Sequence, residues 1–529
     1  MKKAKKYIVL FLAAVMLLTL LSACGGTPAK PAETAATGEK APEAPKTSTL
    51  VYGSGDYTRI NPAIDEHGEI NLLLFDGLAA HNAENEVVPG LAEKWDYDDA
   101  SNTYTFHIRK GVKWHDGKPF TAEDVKFTIE AIMNPDNESE IASNYEEVSE
   151  IKVIDEHTIA FTLKEPNVAF QEYMTIGILP KHLLEGQSMQ ESDFFRNPIG
   201  TGPYKLSKWD KGQAITLVKN EDYWRGVPKI DTIVFKIVVD YNAKALQLKS
   251  GELDLAQLTP KDAQAFAGQD GFTVYDMKTA DYRGILYNFN NKYWDKNRDI
   301  IPAINFGIDR EAMIKAVILG QGPAAYGPLQ RNVFDNPDVE HYDYNVAKAK
   351  ELLEKLGCKM GTDGFYERDG EKLGFTISCM AGDQVRIDMA QIAAQQLKDI
   401  GVDVKVEVPA KIDWANQQAF LIGWGSPFDA DDHTYKVFGT GKGSNYSAYS
   451  NKLVDEYLTK ARQTSDTAER KKFYGLFQEE LAKDPAYTFF CYVDANYVGV
   501  SSISGIAKDT VLGHHGVGIF WNVYEWTKG

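Results

Sequence analysis

Hydrophobic positions in the first half of the chain alternate between the period of a strand and that of a helix. In 103–109 every second residue is apolar, which predicts a strand with one buried face. Thr121 stands three residues before Asp124, as in a capping box, and predicts a helix that ends at 134–135, where Asn precedes Pro. A strand followed by a capped helix indicates a chain of mixed secondary structure.

Longer apolar runs predict further strands. The runs 215–218 and 232–239 are predicted to be strands of a central sheet, and the second is so apolar that we expect both of its faces to be covered. The aromatic and β-branched stretch 487–500 is predicted to form another pair of strands.

The C-terminal half repeats a helix, a glycine and a strand. Apolar residues of 346–356 and 387–400 recur at helical spacing, and Gly357 or Gly401 follows each run. The segment 402–408 then alternates strictly between valine and charged residues, as a half-buried strand does. Since helix, glycine and strand are a unit of α/β proteins, the predicted fold class is α/β.

The first residues have the pattern of a secretion signal rather than of a folded element. Four lysines precede the apolar run 7–23, which is on the short side for a membrane-spanning helix. The run ends in the letters LSAC, and small residues before a single cysteine fit the bacterial lipobox. We expect a signal peptide at 1–23 and lipidation at Cys24, which anchors the protein to the outer face of the cell membrane. The alternative is an uncleaved anchor helix.

The segment 24–48 is rich in Pro, Ala, Glu and Lys and is predicted to be a flexible stalk. About 480 residues follow it, too many for a single core, which predicts two or three lobes. The formal charge is −18, and losing the four signal lysines makes it −22. A surface this acidic disfavours nucleic-acid binding. Three further cysteines without paired spacing (Cys358, Cys379 and Cys491) indicate buried thiols rather than disulfides or a zinc site.

Several ordered blocks of the chain resemble one family closely. That family is the extracellular solute-binding proteins of peptide and nickel ABC importers, of the dipeptide/oligopeptide-binding type. The resemblance covers essentially everything from Leu50 to the end, and the order of the blocks makes it more specific than any single block. The blocks are LAEKW at 91–95, YTFHIR at 104–109, GVKWHDG at 111–117, FTAEDVKFT at 120–128, GTGPY at 200–204, NEDYW at 220–224, AINFGIDR at 303–310 and YDYNVAKAKELL at 342–353.

The resemblance implies a two-lobed fold like that of periplasmic binding proteins, with an extra domain and a ligand cleft between the lobes. Domain I is expected to be discontinuous, domain II to be a single insertion, and domain III to precede the C-terminal segment. The expected boundaries are 49–75, 200–282 and 506–529 for domain I, 76–199 for domain II, and 283–505 for domain III. The implied partners are an ABC permease with its ATPase, and we expect a monomer without a cofactor.

The resemblance also implies where the ligand lies, because peptide binders of this family pair the ligand backbone with two extended segments. The first segment contributes Tyr57, Thr58 and Arg59, and the second contributes Trp424, Gly425 and Ser426.

This sequence departs from the pattern at the aspartate that holds the peptide amine, because Pro427 stands at that position. Acidic residues come slightly later, and Asp429 is expected to take over the amine if the loop is shifted, with Asp431 and His433 beside it. An amine buried without such a partner costs several kcal/mol.

The segment 424–429 also resembles nickel-binding members, which take the metal as an anionic chelate. Arg59, Arg283 and Arg386 are the predicted anion contacts, with surface ion pairs as the alternative for each. Direct metal ligands are not predicted, because the adjacent pair His514-His515 lacks the i,i+4 spacing of helical ligands. The ranking from the sequence is therefore peptide first and metal chelate second.

No enzyme is predicted. The chain lacks the motifs HExxH, GxSxG and Walker A, and the loop at 439–444 has Gly after Lys442 where a Walker motif has Ser or Thr. A secreted hydrolase stays open as the alternative from another class, since abundant carboxylates allow a chance catalytic pair. A sensor or chaperone-like module that binds without transport is the third possibility.

Overall fold

The computed structural model describes residues 47–65 and 68–529. The predicted signal peptide, Cys24 and the predicted stalk before residue 47 lie outside the described residues. Within the described part, no helix is long and apolar enough to cross a membrane.

A seven-stranded sheet forms the base of the first lobe. Strand Thr49–Ser54 lies inside it and pairs in parallel with strands on both sides. Seven strands make up the sheet, in the spatial order Phe272–Met277, Ala495–Val500, Leu255–Leu258, Thr49–Ser54, Thr232–Ile237, Ala214–Lys219 and Tyr204–Asp210.

A four-stranded antiparallel sheet completes this lobe. Its strands, in spatial order, are Ala92–Asp98, Thr103–Ile108, Thr158–Leu163 and Val148–Asp155. Leu50 and Phe235 of the larger sheet share one continuous hydrophobic core with Phe106 and Phe161 of the smaller one. The two sheets therefore belong to one packed lobe.

A five-stranded mixed sheet forms the second lobe. It carries a separate core on each face, one packed by the helix Gln384–Asp399 and the other by the helix Thr467–Lys483. Its strands, in spatial order, are Asp403–Glu407, Gly374–Ser378, Ala419–Trp424, Tyr282–Tyr287 and Tyr487–Tyr492.

The remaining elements are helices around the sheets and short strand pairs. The helices are Asn71–Leu74, Ala122–Met133, Lys181–Leu184, Tyr241–Ser250, Pro260–Gln264, Lys292–Asn297, Ile301–Phe306, Arg310–Val317, Val346–Lys355, Gln384–Asp399, Asp431–Phe438, Lys452–Gln463 and Thr467–Lys483. The short strands are Ala79–His81 with Val87–Pro89, Lys359–Met360 with Tyr366–Arg368 and Glu371–Lys372, and Ile503–Ser504 with Thr527–Lys528.

Most local predictions are confirmed. The predicted strand at 103–109 is Thr103–Ile108 with strictly alternating burial, and the capped helix is Ala122–Met133 with both halves of the capping box formed. Gly357 and Gly401 have φ of 83° and 85°, the left-handed conformation in which glycine ends a helix without strain. The three cysteines of the folded part are buried free thiols, as predicted.

The expectation that 232–239 is a strand with two covered faces is wrong. The strand ends at Ile237, and Val239 beyond it is 71% exposed. Ile233 and Phe235 are buried, whereas Val234 between them and Ile237 after them are only half-buried. The apolar run therefore predicted the strand, but it did not predict the partial exposure of the strand's second face.

The stretch 487–500 does form two strands, but they do not pair with each other. Tyr487–Tyr492 belongs to the five-stranded sheet and Ala495–Val500 to the seven-stranded sheet. The chain also crosses from one sheet to the other at an earlier point. Phe272–Met277 pairs with Ala495–Val500 in the seven-stranded sheet, and Tyr282–Tyr287 pairs with Tyr487–Tyr492 in the five-stranded sheet. Two short connectors, 278–281 and 493–494, thus join the lobes side by side, and we call them the hinge.

The three-domain boundaries stay a prediction. The strand Ala495–Val500 lies in the first lobe's sheet, although the expected boundary at 505 groups it with domain III. The short pair Ile503–Ser504 and Thr527–Lys528 crosses the same boundary. The remaining sheets fall within the expected ranges, except that Tyr282–Tyr287 starts one residue before domain III.

Candidate ligand-binding cleft

A cavity of about 340 Å³ lies between the two lobes. The first lobe lines it with residues from 62–82 and 141–177, and the second lobe with residues 424–436. The segment 510–524, which follows the last large strand, closes a further side. A cleft built from both lobes is the place where closure can enclose a solute.

The lining is rich in aromatic and ionisable side chains. The aromatic residues are Phe75, Tyr145, Tyr173, Tyr223, Trp424, Phe428, Trp521 and Tyr524. The ionisable residues are Asp65, Asp76, His81, Glu172, Arg225, Asp432, His433, Lys436 and His514. Such a surface can hold an organic solute by stacking and by charge.

Four predicted site residues line the cavity: Trp424, Gly425, Ser426 and His433. Gly425 has φ of 141°, and a Cβ there would lie 1.9 Å from the carbonyl oxygen of Ala280, so this wall tolerates glycine alone. Burial lowers the pKa of His433, whose Nε2 lies 3.2 Å from the carbonyl oxygen of Pro328.

The predicted first segment lies apart from the lining. Tyr57 packs against the main core of the first lobe. Arg59 binds Asp65, with Nη2 2.7 Å from Oδ1, and also donates to Gln190. The ion pair given above as the alternative for Arg59 is therefore the arrangement found. Thr58 and its two neighbours are not among the cavity residues, although Pro62 and Asp65 are.

The predicted amine-binding carboxylates are already engaged. Asp429 accepts two hydrogen bonds of 2.7 Å from the guanidinium of Arg470. Asp431 is 1% exposed and accepts from Arg462 at 2.9 Å and from Tyr173 at 2.7 Å. For either carboxylate to bind a peptide amine, a buried charge pair would have to be broken, which is costly.

Arg283 and Arg386 lie together beside the hinge. A Cβ on Gly423 would come within 2.6 Å of both guanidiniums, so this glycine makes room for the pair. Burial and the neighbouring Arg283 lower the pKa of Arg386 to about 10. Nε of Arg283 and Nη2 of Arg386 are buried without a hydrogen-bond partner. They lie outside the cavity lining, next to the cluster described below.

That cluster consists of Asp281, His514 and His515, each of which offers one ligand atom, and these atoms lie within 4.8 Å of one another. His514 also lines the cavity. Nδ1 of His514 lies 2.9 Å from Oδ1 of Asp281, and the backbone N–H of His515 donates to Oδ2 at 3.0 Å. Arg283 also donates to Oδ1, so this carboxylate, like Asp429 and Asp431, is paired with an arginine and the two imidazoles are the main candidate ligands. This is a donor set suited to a transition metal.

The backbone explains how two adjacent histidines converge. His515 has φ of 57° and ψ of 15°, which is the left-handed region, and the two imidazole centroids are 3.9 Å apart. The i,i+4 rule on which the sequence argument rested applies to helices and not to such a turn. The expectation that this pair cannot face one metal is therefore corrected.

Electrostatics favours the metal-binding forms of Asp281 and His515. Burial opposes ionisation of Asp281, but the positive charge of Arg283 and the interactions with His514 outweigh it and hold its pKa well below the ordinary value. Desolvation and the neighbouring His514 lower the pKa of His515. A carboxylate and a neutral imidazole are the protonation states in which these side chains bind metals.

Sequence reasoning missed several cleft residues. His81, Glu172 and Tyr173 belong to no motif, and the packing of the first lobe brings them to the cavity, where His81 contacts Glu172. Asp281, beside the cavity, also belongs to no motif. The adjacent histidines were visible in the sequence, but the left-handed turn that aligns them was not.

Comparison with known proteins gives the family. Residues 86–446 match the model of the bacterial extracellular solute-binding proteins, family 5, middle region. The oligopeptide-binding protein AppA of Bacillus subtilis is 30% identical over 99% of each chain. Its structure in complex with a nonapeptide has a TM-score of 0.80, covering 91% of this chain and 99% of that one.

A second solved structure, NikZ from Campylobacter jejuni in complex with Ni(L-His), is 36% identical. Its TM-score is 0.85, and the match covers 92% of this chain and all of that one. These proteins share the two-lobed α/β fold, which confirms the predicted fold class, and they serve transporters rather than act as enzymes. The chain therefore belongs to family 5 of the bacterial extracellular solute-binding proteins, the extracytoplasmic receptors that hand solutes to the permease and ATPase of ABC importers.

Proposed function

We propose that this receptor captures a compact transition-metal chelate, such as nickel(II) held by an amino acid, for import. The observation that carries the proposal is the convergence of Asp281, His514 and His515 beside the cavity, which His514 lines. Imidazole and carboxylate donors suit nickel(II), and a cargo that already carries its own chelator needs few ligands from the protein.

The size and charge of the cleft support a compact cargo. A volume of about 340 Å³ is at the small end of ligand sites. The carboxylates predicted to bind a peptide amine are held by Arg462 and Arg470. A small chelate avoids the need to free them.

The likeness to the nickel-histidine-binding protein of Campylobacter jejuni agrees with this cargo. A short peptide is the second candidate, because an oligopeptide-binding protein matches this chain over nearly its whole length. The sequence ranked the peptide first; the convergence of the two histidines beside the cavity supports our ranking of the chelate first.

Calorimetric titration of the purified protein with nickel(II) and L-histidine tests the proposal. We expect the mixture to bind and the double variant His514→Ala/His515→Ala to lose at least about tenfold in affinity, since two metal ligands are removed. The matched control is His107→Ala, which removes a histidine from the four-stranded sheet, where it contacts Asp96.

The control should bind as the unmodified protein does. If the double variant binds nickel(II) with L-histidine as tightly as the control, these histidines do not hold the cargo. Binding of short peptides in the absence of metal, unaffected by the double substitution, would make the peptide the cargo instead.

We also propose that Cys24 carries the lipid that holds the receptor at the membrane and that the receptor acts as a monomer. The lipobox letters and the stalk-like composition of 24–48 support the anchor. A tether raises the local concentration of captured cargo near the permease.

A further inference from the structure

Contacts outside the hinge join the two lobes directly. Tyr173 of the first lobe donates its hydroxyl to Oδ2 of Asp431 in the second lobe, at 2.7 Å. Beside it, the backbone N–H of Val168 donates to the carbonyl oxygen of Arg462 at 2.9 Å. Since a hinge of two short connectors allows the lobes to rotate, such contacts decide how long they stay together.

Within its own lobe, Asp431 is held in position by Arg462. Nη2 of Arg462 donates to the same oxygen, Oδ2, at 2.9 Å, and the guanidinium lies 3.6 Å from the ring centroid of Tyr435. Arg462 and Tyr435 move with Asp431 when the lobes separate. The hydroxyl of Tyr173 is the partner that comes from the other side.

Two short segments, 172–173 and 431–436, connect the contact between Tyr173 and Asp431 to the cavity. Glu172 and Tyr173 line the cavity from the first lobe. Asp431 begins the helix Asp431–Phe438, of which Asp432 and Lys436 line the cavity from the second lobe. Asp431 itself is not part of the lining, so its side chain acts on the cargo only through closure.

We propose that the hydrogen bond from Tyr173 to Asp431 is a closure latch, which slows release of the cargo by holding the lobes together. This latch goes beyond the choice of cargo, because it depends on the lobe contact and not on what the cavity contains. Its loss lowers the population of the closed form, and the apparent affinity falls with that population.

The test is the substitution Tyr173→Phe, which removes one hydroxyl and keeps the ring. With nickel(II) and L-histidine as the probe, stopped-flow fluorescence should show dissociation faster by about tenfold, because hydrogen bonds to charged groups are among the stronger ones. The association rate should change little. Asp431→Asn should act in the same direction.

Tyr287→Phe is the matched control. It also removes one buried hydroxyl, but the partner of this hydroxyl, Thr488, lies in the same lobe. Dissociation from this variant should equal that from the unmodified protein. An unchanged rate in Tyr173→Phe, or an equal acceleration in Tyr287→Phe, would overturn the latch.

Hydrogen exchange on the cargo-free protein separates this proposal from the nickel proposal. We expect faster exchange at 168–175 in Tyr173→Phe than in Tyr287→Phe, because the amide of Val168 is protected by the other lobe. The exchange experiment tests the latch even if the nickel complex does not bind. Equal exchange in the two variants would then reject the latch.

Discussion

Asp281 belongs both to the hinge and to the cluster that it forms with His514 and His515. Its carboxylate is 1% exposed and contacts Arg283, His514 and the backbone of His515. A buried carboxylate with several positive partners is stable only while all of them stay in place. Ionisation of Asp281 therefore contributes to the stability of the folded protein.

We expect Asp281→Asn to lower the free energy of unfolding by about 3 to 5 kcal/mol at pH 7, since it leaves Arg283 buried without its charge partner. The depressed pKa of Asp281 means that its contribution is complete above the unfolded pKa, about 4, and is lost as the pH falls through the folded pKa. The difference from the unmodified protein should therefore shrink in acid. Urea unfolding at pH 7 and at pH 3.5 measures both effects.

Asp96→Asn is the control for this prediction, because Asp96 is an exposed carboxylate whose pKa is lowered by a hydrogen bond with His107. It should change stability little at either pH. A constant difference between Asp281→Asn and the unmodified protein at both pH values would show that ionisation of Asp281 does not contribute.

Most of the described helices begin at a side-chain cap. The longest described helix, Thr467–Lys483, follows Asp466, whose carboxylate accepts the N–H groups of Ala468 and Glu469 at 2.9 Å. The caps are local in sequence and satisfy the free amides of the first turn.

Asp466→Ala should therefore lower the free energy of unfolding by about 1 kcal/mol, the usual effect of removing such a cap. Asp466→Asn keeps an oxygen acceptor and should retain most of the stability. Thermal unfolding of the two variants measures the difference. Equal midpoints for the two would mean that the cap does not stabilise the helix.

Local pattern also located most strands, but it did not decide their partners. The segment 402–408 alternates so strictly that its strand, Asp403–Glu407, could be predicted closely. The stretch 487–500 was predicted as a pair of strands, yet each strand joins a different sheet. Which neighbours a strand pairs with depends on residues far away in the chain, such as those of 272–287.

The whole molecule is a receptor whose two lobes meet around one cavity, with a predicted anchor ahead of the fold. The predicted anchor, Cys24, lies outside the described residues. The acidic net charge of the chain favours solubility of the rest of the protein when the anchor is absent. Attachment is therefore predicted to depend on one cysteine.

We expect Cys24→Ser to release the receptor from the membrane fraction of the producing bacterium, because no acyl chain can then be added. Fractionation followed by immunoblotting measures the distribution. Cys358→Ser, which removes a buried thiol of the second lobe, is the control and should stay with the membrane. Membrane retention of Cys24→Ser would indicate the uncleaved anchor helix instead.

The sequence by itself determined the family, the fold class and most helices and strands, because periodic patterning, caps and ordered motif blocks are local in the chain. It also located Trp424, Gly425 and Ser426 at the cavity through the resemblance. The tertiary structure alone decided the rest. It showed that Asp429 and Asp431 are held by arginines, and that His514 and His515 converge on Asp281 through a left-handed turn. Those contacts join residues 31 to 234 positions apart, and their partners are fixed by how the lobes pack rather than by any local pattern.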